Sequence, residues 1–262
     1  MESLRVAIVQ TDIVWENKQE NLLRLHEKLK VLRGATEIVV LPETTTTGFS
    51  MNTHLLAEPV TGDTIRTLQQ WATEYNIAII GSYIACDEQE QPNHCYNRAF
   101  FLTPEGEQHF YDKHHLFRMG GEAEAFTPGN RCTIINYQGW NIMLQICYDL
   151  RFPVWSRNMG NKYDLLIYIA NWPASRRKVW DTLLQARALE NQSYVCGVNR
   201  IGKDGNGLSH NGGSVILSPK GESLIILPDN IEATSIATLS HTSLNSFREK
   251  FPVWKDADTF SI

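Results

Sequence analysis

The chain has 262 residues, 42% hydrophobic and 20% charged, a balance that excludes a disordered polypeptide and fits one globular α/β domain over residues 1–262. A formal net charge of -5 with no basic block argues against nucleic acid as a partner, and no apolar run is long enough to span a membrane. The five cysteines are odd in number and include no Cys-x-x-Cys pair, which points to a reducing cytoplasm rather than a disulfide framework; the opening Met-Glu-Ser-Leu-Arg-Val enters a strand at once, unlike a signal peptide.

Leu4 to Val9 reads as a buried strand. Residues 17–32 carry Leu22, Leu25, Leu29 and Leu32 at helical spacing and predict an amphipathic helix. Glu37 to Leu41 is a second strand, closed by Pro42, and a helical crossover between two strands implies parallel pairing. Asp63 caps a helix to about Tyr75, and strands follow over Ile77 to Ala85 and Asn97 to Leu102. Cys86 and Cys95 flank the connection between these strands and read as two core thiols. Pro104-Glu-Gly106 makes a tight turn, and the chain returns through Glu107 to Lys113 into a long loop, 114–131, of a length that is usually functional or disordered.

The second half repeats this plan. Trp140 to Ile146 echoes Leu4 to Val9, Asp164 to Ala170 echoes Glu37 to Leu41, and a helix from about Lys178 to Asn191 leads to a strand from Ser193 to Asn199. The sharpest echo is between Phe101-Leu-Thr-Pro-Glu-Gly-Glu107 and Ile216-Leu-Ser-Pro-Lys-Gly-Glu222, two hairpins with proline opening the turn and glycine supplying positive φ. Two similar halves, each contributing one sheet, predict an α-β-β-α sandwich of two mixed sheets with internal pseudo-two-fold symmetry. The apolar tail, 243–262, carries Phe247, Phe251, Val253, Trp254 and Phe260, and calls for a surface to cover on its own subunit or on a partner's.

Cys147 ends the alternating strand Trp140 to Ile146, and Pro153 suits the first turn of a following helix. A thiol at a strand-to-helix turn is exposed beside outward-pointing backbone N–H groups, which suits covalent acyl chemistry; the alternative is an inert core cysteine. Glu43 follows its strand directly in Leu-Pro-Glu-Thr-Thr-Thr-Thr-Gly48, at the strand end where catalytic groups of parallel sheets gather, and stacked halves bring it toward Cys147. Lys113 ends the first hairpin; a cation there would lower the thiol pKa and hold an oxyanion. His114 and His115 lack recognised zinc-ligand spacing, so no metal is expected.

Leu-Pro-Glu43, Tyr-Asp-Lys113 and Ile-Cys147-Tyr-Asp-Leu-Arg-Phe-Pro together resemble the nitrilase, or carbon–nitrogen hydrolase, superfamily in order and rough spacing. The resemblance implies Glu43 as general base, Lys113 as oxyanion stabiliser and Cys147 as nucleophile, with no cofactor. It also implies a second glutamate before a Pro-Gly turn, which Glu122 matches, with Glu124 two residues away. Cys-Tyr-Asp-Leu-Arg-Phe and Gln185-Ala-Arg-Ala-Leu-Glu-Asn-Gln192 are similar to the omega-amidase branch, which implies hydrolysis of the side-chain amide of 2-oxoglutaramate or 2-oxosuccinamate. Such a substrate needs a cation for its free carboxylate, and Arg118, Arg176 and Arg177 are the candidates; Arg151 reads instead as a salt-bridge partner of Asp149. The Tyr148 N–H joins the oxyanion site, and Phe117 and Trp172 wall the pocket. The family resemblance further implies a homodimer, for which Phe152, Val154 and Trp155 offer a face. The alternatives left open are a nitrile, N-carbamoyl or other amide substrate, a non-catalytic binding protein, and a redox-sensing thiol.

Overall fold

The computed structural model describes residues 2–87 and 94–259. In chain order the elements are β1 (Ser3–Gln10), α1 (Lys18–Lys30), β2 (Ile38–Val40), α2 (Asp63–Tyr75), β3 (Ala78–Cys86), β4 (Cys95–Leu102) and β5 (Gln108–Asp112) in the first half. The second half holds β6 (Ile134–Tyr137), β7 (Trp140–Ile146), β8 (Leu165–Ala170), α3 (Arg177–Asn191), β9 (Tyr194–Asn199), β10 (Ile201–Lys203), β11 (Ser209–Asn211), β12 (Val215–Leu217), β13 (Ser223–Ile226), β14 (Ala233–Ser240) and α4 (His241–Lys250).

Side-chain alternation along the strands builds the layers. On β1, β2 and β3 one set (Val6, Ile8, Ile38, Val40, Ile80) meets Ile142, Leu144, Ile167 and Val198 of the other sheet in a shared core. The alternate set (Ala7, Val9, Val39, Ile79) packs against Leu25 and Leu29 of α1 and Ile65, Leu68 and Ala72 of α2. On the far side Met143, Leu166, Tyr168 and Val195 face Trp180, Leu184 and Ala188 of α3. Strands buried on both faces are expected where parallel pairs lie under helices. The result is the α-β-β-α sandwich of two mixed sheets that the patterning predicts.

The sheet orders are β14-β1-β2-β3-β4-β5 and β6-β7-β8-β9-β12-β13 read in the matching direction, each with a parallel core of three strands and antiparallel flanks. The two matching hairpins close alike, with Gly106 and Gly221 at φ 95 and 74. The expectation that each half supplies its own sheet needs correction. β14, from the end of the chain, crosses to pair with β1 over its whole length, from Ser3 opposite Ser240 to Gln10 opposite Ala233. Its Ala237 and Leu239 complete the inter-sheet core.

A second correction falls after Cys147. No α-helix starts at Pro153; residues Cys147–Arg151 form a 3₁₀ turn and Pro153 lies in the turn beyond it. The Asp149 carboxylate accepts from the Ile146 N–H at 3.0 Å and so ties the turn back to the strand end. The face offered for dimer contact changes too. Phe152 stacks on His115 and Trp155 on His114, each at 3.7 Å between ring centroids, so only Val154 of the three is an exposed side chain. In the tail, α4 is anchored to its own body by Leu244 and by Arg248, which donates to Asp164 Oδ1 at 2.8 Å and to the Tyr163 carbonyl at 2.7 Å. Phe251 and Trp254 stay exposed; Phe260 lies outside the described residues.

Candidate active site

Three strand ends and one loop converge on a buried charge cluster. Glu43 leaves β2, Lys113 leaves β5 and Cys147 leaves β7, while Glu122 comes from a short helical turn, Glu122–Ala125, in the loop 114–131. Lys113 Nζ donates to Glu43 Oε1 at 3.0 Å and to Glu122 Oε1 at 2.8 Å, with all three side chains at most 1% exposed. Its ammonium also stands 5.0 Å from the centre of the Phe49 ring. Of the two neighbouring glutamates it is Glu122 that reaches Lys113: its other oxygen accepts from the Phe117 N–H, whereas Glu124 is exposed. Glu43 Oε2 accepts from the Asn171 N–H at 2.7 Å, a bond between the two halves of the chain.

Cys147 is held at φ 45, the left-handed region that a side chain with a Cβ rarely adopts. Asp149 secures the bend. Its carboxylate takes the Tyr111 hydroxyl at 2.8 Å, the His115 N–H at 2.9 Å and His115 Nδ1 at 2.8 Å, besides Ile146 N. The expected Asp149–Arg151 salt bridge therefore does not form. Arg151 turns instead into the pocket, 5.3 Å over the Trp172 ring, and Arg176 lies 5.2 Å over Phe117. Neither has an ion pair among the described residues. Of the other predicted cations, Arg177 is taken by Asp181 and Asp229 at 2.7 and 2.6 Å and lies off the pocket wall, and Arg118 is exposed outside it.

The cavity is small, about 90 Å³, and Phe117, Tyr148 and Trp172 line it with the charged groups, as expected for a site that takes a small molecule. A hairpin that sequence reasoning missed, β10–β11, closes its rim through Asp204, Asn206, Leu208 and His210. Its strands are three residues each, too short to show a periodic pattern. Asn97 and Asn171, which bond Glu43, also escaped notice: one lies inside β4 and the other just past the end of β8, without a local signature.

Electrostatics fix the resting protonation. Burial, together with the Glu43 carboxylate, pushes the Cys147 thiol well above its ordinary range despite Lys113, so the sulfur rests protonated and needs a base to attack. The lysine effect expected from sequence is thus outweighed. Burial alone would lower Lys113, but Glu122 and Glu43 hold it above the ordinary lysine range, a permanent cation. Burial raises the Glu122 carboxyl, Lys113 opposes this and Glu43 adds to it. The cluster can accept a proton from sulfur and stabilise negative charge beside it, the two demands of acyl transfer to a thiol.

The sequence matches the Carbon-nitrogen hydrolase family over residues 5–249. It is 42% identical to the omega-amidase YafV of Escherichia coli (strain K12), over 100% of both chains. The fold superposes with a TM-score of 0.96 on XC1258 from Xanthomonas campestris, a CN-hydrolase superfamily protein with an arsenic adduct in the active site, at 36% identity and over 100% of both chains. A mutant amidase from Nesterenkonia sp. AN1, showing Michael addition of acrylamide at its active site cysteine, matches with a TM-score of 0.81 and 25% identity over 95% of this chain and 98% of that one.

Proposed function

The chain belongs to the carbon–nitrogen hydrolase family and is a hydrolase of amides, and on that premise we propose that it is a thiol omega-amidase. Its substrate is the monoamide of a small 2-oxo dicarboxylic acid, 2-oxoglutaramate or 2-oxosuccinamate, cleaved to the acid and ammonia. One observation carries this reading: the Cys147 thiol, the Glu43 carboxylate and the Lys113 ammonium, backed by Glu122, share a small pocket with two arginines that have no carboxylate partner among the described residues. An amide with a carboxylate at its far end satisfies both groups of residues at once.

The Cys147 S–H gives its proton to Glu43 as sulfur attacks the amide carbon. Lys113 Nζ and the Tyr148 N–H, at the start of a helical turn, hold the oxyanion. The intermediate collapses as nitrogen takes the proton from Glu43, and ammonia leaves a thioester. Water then gives a proton to Glu43 and adds to the thioester carbon, with Glu122 fixing Lys113 opposite it. Collapse expels the sulfur, which recovers its proton, and the acid departs. Arg151 and Arg176 grip the distal carboxylate, and Phe117 and Trp172 hold the arginines in place. No step uses a metal or cofactor.

Ammonia release from 2-oxoglutaramate, run beside glutamine, asparagine, a simple nitrile and an N-carbamoyl amine, tests the proposal. Release from the 2-oxo acid amide, abolished in Cys147→Ala, is the expected result. Release only from another compound of the panel contradicts the substrate. We further propose that the protein works in the cytoplasm as a homodimer; a monomer in sedimentation at micromolar concentration would contradict the pairing.

A further inference from the structure

Two carboxyl groups share one ammonium in the buried cluster, so ionising both at once leaves one negative charge in excess, and burying unbalanced charge is costly. Among the described residues one neutral side chain addresses both carboxylates. Asn97 Nδ2 donates to Glu43 Oε1 at 2.8 Å and to Glu122 Oε1 at 3.3 Å, and the side chain is buried. One amide nitrogen thus serves both glutamates.

The orientation of that amide is fixed from behind. Asn97 Oδ1 accepts from Ser82 Oγ at 3.1 Å, and Ser82 Oγ in turn accepts from the Thr44 N–H at 2.7 Å. A backbone N–H can only donate, so the hydroxyl hydrogen of Ser82 is left for Asn97 Oδ1. Turning the amide over would set its oxygen against two carboxylate oxygens. Thr44 follows Glu43 and sits at φ 44, so the Ser82 bond also holds the bend that delivers Glu43. The Asn97 carbonyl accepts from the Lys113 N–H at 3.0 Å. Asn97 therefore touches Glu43, Glu122 and Lys113, and Ser82 locks it.

We propose that Asn97, set by Ser82, is the positioning residue that keeps Glu43 and Glu122 ionised together, so that Glu43 is free to take the Cys147 proton. This rests on the amidase reading above. The titratable groups that face one another here are Glu43 from β2, Lys113 from β5, Glu122 from the loop and Cys147 from β7. Arg151, Arg176, Asp204 and His210 stand on the cavity wall. Asn97 transfers no proton itself. Removing its two donors favours the protonated carboxyl, so ionisation of the base moves to higher pH.

The test compares full-length wild type with Asn97→Asp, Asn97→Ala and Ser82→Ala. Two pH profiles are read: kcat/KM for ammonia release from 2-oxoglutaramate, and the rate of Cys147 alkylation by iodoacetamide, which needs no substrate. The acid limb of both profiles is expected to move up by about one pH unit in Asn97→Ala, a loss of about tenfold on the acid side, and further in Asn97→Asp. Ser82→Ala moves the limb the same way by less. A uniform loss of turnover at every pH, with alkylation limbs that coincide with wild type, overturns the proposal and leaves Asn97 a packing residue. If the Asn97 variants do not fold, the Ser82→Ala limb decides by the same criterion. A shifted alkylation limb in a protein that releases no ammonia from 2-oxoglutaramate supports the role of Asn97 and overturns only the substrate.

Discussion

Cys147 carries a Cβ at φ 45, and four donors on the Asp149 carboxylate hold the bend behind it. Residues with such backbone need surroundings that over-determine them. At this scale Glu43, Lys113 and Cys147 were legible because each ends a strand in a half that repeats the other. Arg151 was not. Its neighbour Asp149 looks like a local partner, but His115 and Tyr111, more than thirty residues earlier, take that carboxylate and turn Arg151 into the pocket. The arginines give a direct prediction. Removing a charge-assisted hydrogen bond costs about 1.5–3 kcal/mol, so Arg151→Ala or Arg176→Ala is expected to raise KM for 2-oxoglutaramate about 10- to 100-fold, with kcat less affected. Arg177→Ala, whose side chain is already paired, is expected to leave KM unchanged. Steady-state kinetics on the three variants decide, and an effect confined to Arg177 would contradict the assignment.

The helices and long strands followed from apolar spacing, whereas elements fixed by side-chain bonds did not. α2 shows both kinds of cause. Its buried face, Ile65, Leu68 and Ala72, reads directly from the sequence, and its start at Asp63 was expected. Its N-terminus, however, is fixed by Glu58, which accepts from the Thr64 N–H at 2.9 Å and the Thr64 hydroxyl at 2.7 Å and pairs with Lys18 at 2.7 Å. Burial would raise the Glu58 carboxyl, but the bonds from Lys18 and Thr64 hold it below its ordinary value. A carboxyl lowered in this way adds stability above its unfolded pKa and loses it as pH falls through the folded value. Glu58→Gln is therefore expected to cost about 1–2 kcal/mol in urea unfolding at neutral pH. The difference from wild type should shrink on acidification below the ordinary carboxylate range. A difference that stays constant through that range would contradict the ion pair.

Across the whole molecule the repeat of two halves has a chemical consequence. Glu43, Lys113 and Glu122 come from the first half and Cys147 from the second, and they meet only because the two sheets stack with like strand ends together. The bond from Asn171 N to Glu43 ties the halves at that point. The symmetry was legible in the paired hairpins. The crossing of β14 was not, because hydrogen bonding to β1 is a long-range choice that no local pattern records. The proposed chemistry turns on one covalent event at this junction, acylation of Cys147. The most direct measurement is the mass of the enzyme quenched in acid within its first turnovers on 2-oxoglutaramate, followed by mapping of the modified peptide. The account predicts a 2-oxo acyl group on the peptide bearing Cys147, formed as ammonia appears and lost as the acid is released. Ammonia released with burst-free kinetics, no acyl adduct at any quench time and full turnover in Cys147→Ala would contradict it.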